Sequence, residues 1–246
     1  MPALRRPRCG PAPFAASAVA AGTLAGLLAV AAPPGRTAVA LGSTASLQSK
    51  APVPASLTDV ESAAEDIVDF ALSGDRRNVI AKAATLEAAA GGSVSTALAH
   101  AGVPSARVAL LKTRASRVAQ LARAAPLVGV ALAANAVSEL MPSFYARFQG
   151  RVPASIFMLD YLDREAQLRS LARQPDQVAA AVKELGQTWV QVQPKVVSAG
   201  GAREAAAYRA HVSAMKRLVS RGNAALQAEA VRGLALVDEL EQVFTA

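Results

Sequence analysis

Chemistry in this chain would have to come from carboxylates, arginines and amides. The usual nucleophiles and metal ligands are scarce: 246 residues contain one cysteine and two histidines. The densest polar group is the segment LDYLDRE, Leu159 to Glu165. On a helix, Asp160, Asp163, Arg164 and Gln167 share the sector around Ile156. If that sector faces inward, its two carboxylates need a partner, since unpaired buried charge is very costly. Arg164 lies one turn from Asp160, and Arg114, set within the apolar arc of Leu110, Val118 and Leu121, is a second candidate. Asn135 and Glu139 interrupt the apolar stretch Leu127–Met141, and their spacing of four points both the same way.

Asp160, Asp163, Arg164, Asn135, Glu139 and Arg114 thus outline a polar pocket for a metal ion or a small polar ligand. The competing reading is structural: an Asp160–Arg164 pair at i, i+4, with Glu165–Arg169 as an ordinary exposed pair beside it. Helical ion pairs are common and individually weak, so structural pairing is the first reading and the pocket the alternative. A di-iron centre would want Glu-x-x-His on two helices, and neither histidine has an acid at that spacing. The chain has no Asp-x-Asp-x-Asp-Gly calcium loop, no Gly-x-Ser-x-Gly, no Ser-x-x-Lys and no glycine-rich phosphate loop after a strand. His100 falls in an expected loop, and His211, beside Tyr208 and Met215, reads as surface or packing. Trp189 reads as a core or groove residue. No cofactor is expected, and the balance leans away from an enzyme.

The elements that must position these residues read as helices throughout. A capping box, Thr58-Asp59-Val60-Glu61, predicts a first helix with Val60, Ala63, Ala64, Ile67, Val68, Phe70 and Ala71 inward. Its acidic side, Glu61, Glu65, Asp66 and Asp69, reads as a solvated face. Gly74 should stop it and Asp75 cap the next, which runs to Gly91-Gly92. Further helices are predicted after Pro104, from Leu127 to a stop at Pro142, from Pro153 to Arg173, and from Pro175 to Pro194. A last long segment from Ala202 to Phe244 is divided near Gly222-Asn223. Short turns favour antiparallel neighbours, so the expected fold is all-α, an up-and-down bundle of five to seven helices.

The N-terminus reads as an address. Arg5, Arg6 and Arg8 precede an uncharged stretch from Phe14 to Ala32, and Ala38-Val39-Ala40 ends it with small residues. That order predicts a cleaved signal peptide over 1–40. A retained membrane anchor is the alternative, weakened by a composition of mostly Ala, Gly, Ser and Thr against the ~20 strongly apolar residues of a span. A flexible Ser/Ala/Pro spacer is expected over 41–57, then one helical domain over 58–246. Cleavage would remove Cys9 and, with Arg5, Arg6, Arg8 and Arg36, reduce 26 basic residues to 22 against 18 acids, a net charge of +4 rather than +8. Few aromatics and interleaved charges argue against nucleic acid, although Arg107, Lys112, Arg114, Arg117 and Arg123 form a basic run without acids. The sequence therefore leads to a periplasmic or secreted binding or accessory module whose partner is an envelope protein or a small ligand, with no permanent membrane span once the leader is cut.

Overall fold

A computed structural model describes residues 50–220 and 223–245. The expected leader, and the expected spacer up to residue 49, lie outside the described residues. Among the described residues there are ten helical segments, eight of them with twelve or more residues, and no strand. The fold is thus all-helical as expected, with one more full helix than the upper end of the expected range. Pro52 and Gln149 form an isolated bridge, closed by the Gln149 amide donating to the Ala51 carbonyl at 2.8 Å.

The segments are α1 (Ala55–Leu72), α2 (Arg76–Gly91), α3 (Ser93–His100), α4 (Ser105–Ala122), α5 (Leu127–Ser138), α6 (Met141–Tyr145), α7 (Ala154–Leu171), α8 (Pro175–Ser198), α9 (Ala202–Leu218) and α10 (Asn223–Thr245). The first helix begins three residues before the expected capping box. Pro54, held extended at φ −73°, ends the incoming segment, and the Leu57 amide bonds its carbonyl at 2.9 Å, so Thr58 is already inside the helix. The following stop and start form as expected. Gly74 takes φ +82°, a left-handed turn that a side chain resists, and Asp75 accepts from the Asn78 amide at 3.1 Å.

Two prolines act differently from expectation. Pro142 does not close the apolar helix: α5 stops at Ser138, and Pro142 sits in the first turn of α6, where its missing N–H costs nothing. Pro194 does not end α8, which continues to Ser198. The carbonyl left without an intrahelical donor belongs to Val190, whose 71% exposure puts it on the wet side, where water replaces the bond.

The described residues form one compact unit built around two apolar cores. In the first, α1 packs on α2, α2 on α4, α4 on α5, and α5 returns to α1. In the second, α7 packs on α8, α8 on α9, α9 on α10, and α10 returns to α7. The rings meet where α7 lies on α5 and α6. Their interiors are filled by residues such as Leu57, Ile67, Leu86, Leu111 and Phe144 on one side, and Ile156, Leu159, Leu185 and Leu240 on the other, all fully buried. Each such side chain contributes about 1.5–3 kcal/mol through burial. Leu127–Tyr145 is apolar and long enough to cross a membrane, yet half of it is buried as core packing between α1, α4 and α7.

Candidate functional site

α7 is apolar on several sides because it belongs to both rings: Ile156, Leu159, Leu162 and Ala166 serve the second core, and Leu168 the first. Its polar residues occupy the seams between those faces. The sector expected to form one pocket is therefore split. Asp160 and Arg164 turn toward α1 and α10, Asp163 turns into the second ring, and Glu165 turns toward α5.

Asp163 is fully buried. Its Oδ2 accepts the Tyr208 hydroxyl at 2.7 Å, and its Oδ1 lies 2.8 Å from His211 Nε2. The other ring nitrogen, Nδ1, lies 2.9 Å from Glu229 Oε1, which also accepts from Arg232 Nη1 at 3.0 Å. Trp189 packs on Tyr208 with ring centroids 4.8 Å apart, and Tyr208 lies 5.1 Å from the imidazole. Every helix of the second ring thus supplies a member. The imidazole thus bridges two acids, one at each ring nitrogen. Burial opposes charge on His211, but the hydrogen bond and charge of Asp163, followed by those of Glu229, outweigh it and raise its pKa. Burial also raises Asp163, against the lowering effect of His211 and Tyr208. The resulting set matches two acids with an imidazole and a guanidinium. It is closed by Gly233: a Cβ there would sit 2.5 Å from Asp163 Oδ2 and 2.6 Å from His211 Nε2. Five cavities among the described residues, of about 210 to 510 Å³, are lined by other residues.

The seam between α1, α7 and α10 is charged differently. Arg164 Nη2 lies 3.2 Å from Asp160 Oδ2 and 3.5 Å from Glu65 Oε1. Tyr145 donates to Glu61, and Asp69 of α1 and Asp238 and Glu241 of α10 complete the group. Six carboxylates therefore share this seam, two of them paired with Arg164. Burial pushes Glu61 up to about 7, against the Tyr145 hydrogen bond, with the charge of Asp160 adding to the rise. Burial, then Asp160, raises Glu65 to about 8 and Glu241 to about 7. The acidic side of α1 is consequently not a solvated face: Glu61 and Glu65 are half-buried against α7. Asp69 stays exposed, and Asp66 pairs with Lys82 of α2 at 2.6 Å.

Asn135 and Glu139 do not complete a pocket with Asp160 and Asp163. Asn135, fully buried, donates to Glu165 Oε2 at 2.8 Å, which also holds Arg169 Nε at 2.6 Å through Oε1. Glu165, at 12% exposure, is therefore an interior anchor rather than an exposed pair. Glu139 caps the end of α5, where the chain leaves the helix, and pairs with Arg114 at 2.8 Å. Arg114, expected near the α7 carboxylates, instead ties α4 to the end of α5 and also donates to the Ala136 carbonyl. The Asp160–Arg164 pair is present as expected.

His211, read from sequence as surface or packing, is the residue that sequence reasoning missed. Two signals were available. Tyr208 and His211 are three apart on one face of α9, and Gly233 interrupts the apolar stripe Leu226, Ala230, Val237 of α10, which marks a close approach. Among the described residues no group of three or more His, Cys, Asp or Glu side chains has the arrangement to hold a metal ion. No protein-family model, no curated protein and no solved structure matches this chain.

Proposed function

We propose that this chain is an exported up-and-down helical bundle of the cell envelope that works by binding, as an accessory or interaction module, rather than by catalysis. The carrying observation is the saturation of the Asp163–His211–Glu229 network: each ring nitrogen and the Tyr208 hydroxyl already has an acceptor on the chain itself. A general acid or base must reach a substrate proton, and this imidazole faces only its own carboxylates. Export rests on the basic start, the uncharged stretch and Ala38-Val39-Ala40, which supports a periplasmic or secreted location.

Two measurements test this reading. Intact-mass analysis of the protein from its host should find a chain starting at Leu41 in the envelope or culture fluid; a full-length cytoplasmic chain refutes export. Product analysis after incubation with a metabolite panel should find no turnover of any candidate. Turnover abolished by His211→Gln in a folded protein would instead establish an enzyme.

A second reading, a carrier of a small cation, is favoured by the excess of carboxylates over Arg164 at the α1–α7–α10 seam. A stoichiometric cationic adduct lost on Asp160→Asn and Glu65→Gln would support it; an adduct retained in both would remove it.

A further inference from the structure

The largest of the cavities, about 510 Å³, lies away from both networks, where the segment Lys50–Pro54 passes the end of α3 and the turn after α6. A volume of this size suits a small molecule. Three side chains able to carry positive charge line it: Lys50, His100 and Arg147. Pro52, Phe148 and Ala97 add apolar lining. No acid lines it, and none stands nearby in sequence: the lining segments fall within 50–58, 88–138 and 140–159, which contain no Asp or Glu. His100 also lines a second groove, of about 460 Å³, together with Lys112, so the basic character continues beyond the cavity.

The state of these cations is what distinguishes the cavity from an ordinary basic surface. Other arginines of this half are spent on the fold: Arg107 donates to Ser143 at 2.7 Å and Arg114 pairs with Glu139. Lys50 is held at the wall by donating to the Ala146 carbonyl at 2.8 Å, which fixes its ammonium group and leaves two N–H donors. Arg147 and His100 have no hydrogen-bond or ion-pair partner among the described residues. A guanidinium with five free donors beside a tethered ammonium is a receptor for an oxyanion, and the Phe148 wall gives an attached apolar body somewhere to lie.

We propose that this cavity binds a small organic anion, with its oxyanion head on Arg147 and Lys50 and its apolar body over Phe148 and Pro52. The site is independent of the function proposed above, since it shares no residue with the export signal or with either polar network.

Calorimetric titration of the intact protein with octanoate tests it, with inorganic phosphate and phosphatidylglycerol vesicles as parallel arms. Octanoate should saturate at one equivalent and bind more tightly than phosphate. Arg147→Gln and Lys50→Gln should each weaken octanoate about tenfold or more, the loss expected for one charge-assisted hydrogen bond. Both residues are exposed, so helical circular dichroism should be unchanged and a failure to fold is not confounding. No saturable octanoate signal, or binding that both variants leave intact, overturns the proposal. Vesicle binding without a response to free octanoate overturns it in favour of a lipid surface, and phosphate binding as tightly as octanoate removes the apolar half of the site.

Discussion

The two rings solve the same packing problem with different interiors. The first, α1–α2–α4–α5, is filled almost wholly by Ala, Val, Leu and Phe, and its buried polar groups, Asn135 and Ser138, lie on α5, the helix that meets α7. The second holds an acid, an imidazole and a phenol at its centre. An apolar core accepts many near-equivalent packings, whereas a buried network is satisfied by one arrangement of its helices. The difference teaches where specificity resides: the first ring is held by volume, the second also by the pairing of Asp163 with Tyr208 and of His211 with Asp163 and Glu229.

The hardest blow to that contrast is Asp163→Ala. It leaves a buried imidazole and a buried hydroxyl without their acceptor, and the expected loss is about 3–5 kcal/mol by urea unfolding. A loss below ~1 kcal/mol would mean that the network adds little. Next comes a paired glycine test. Gly233→Ala should cost about 1–3 kcal/mol, because its Cβ meets Asp163 and His211. Gly129→Ala in α5, with nothing within 4 Å, should instead stabilise by up to ~1 kcal/mol. Equal effects at the two sites would erase the distinction between the rings.

The seam between them adds a pH dependence. Glu61, Glu65 and Glu241 hold protons up to about 7, 8 and 7 in the folded chain against 4.5 in the open one. The folded state binds more protons across that window, so stability should fall as pH rises from about 4.5 toward 8 and level off above it. Thermal melts across that range should show the decline, and Glu241→Gln should flatten it; a melting temperature that rises over the same range contradicts the assignment. The smallest effect is expected at the first ring's rim, where Arg114→Gln removes a partly exposed pair worth roughly 0–1 kcal/mol.

How far the sequence foretold this depends on what kind of signal each feature leaves. Helix positions were legible wherever apolar periodicity met a turn residue, as at Gly74-Asp75. The exceptions came from competition: Pro54 started α1 before Thr58 could cap it, and Pro194 was carried through because the freed carbonyl is wet. The α7 polar residues were found, but their grouping was not. A wheel places Asp160 and Asp163 in one sector, while the partners that separate them are distant in sequence: Glu65 lies 99 residues before Arg164, and His211 lies 48 residues after Asp163. Local spacing carries pairs such as Asp160–Arg164; it cannot carry a contact whose other half is tertiary.

One consequence concerns the order in which the chain is made. Leu168 of α7 is part of the first core, yet it is synthesised after every other helix of that core, α1 through α6. The helices of the first ring, α1, α2, α4 and α5, can pair before α7 emerges, but their core is completed only when Leu168 arrives, on a helix that also presents Ile156, Leu159 and Leu162 to helices that follow it in the chain. The later half of the chain thus carries, on one of its own helices, the last piece of the earlier half's interior.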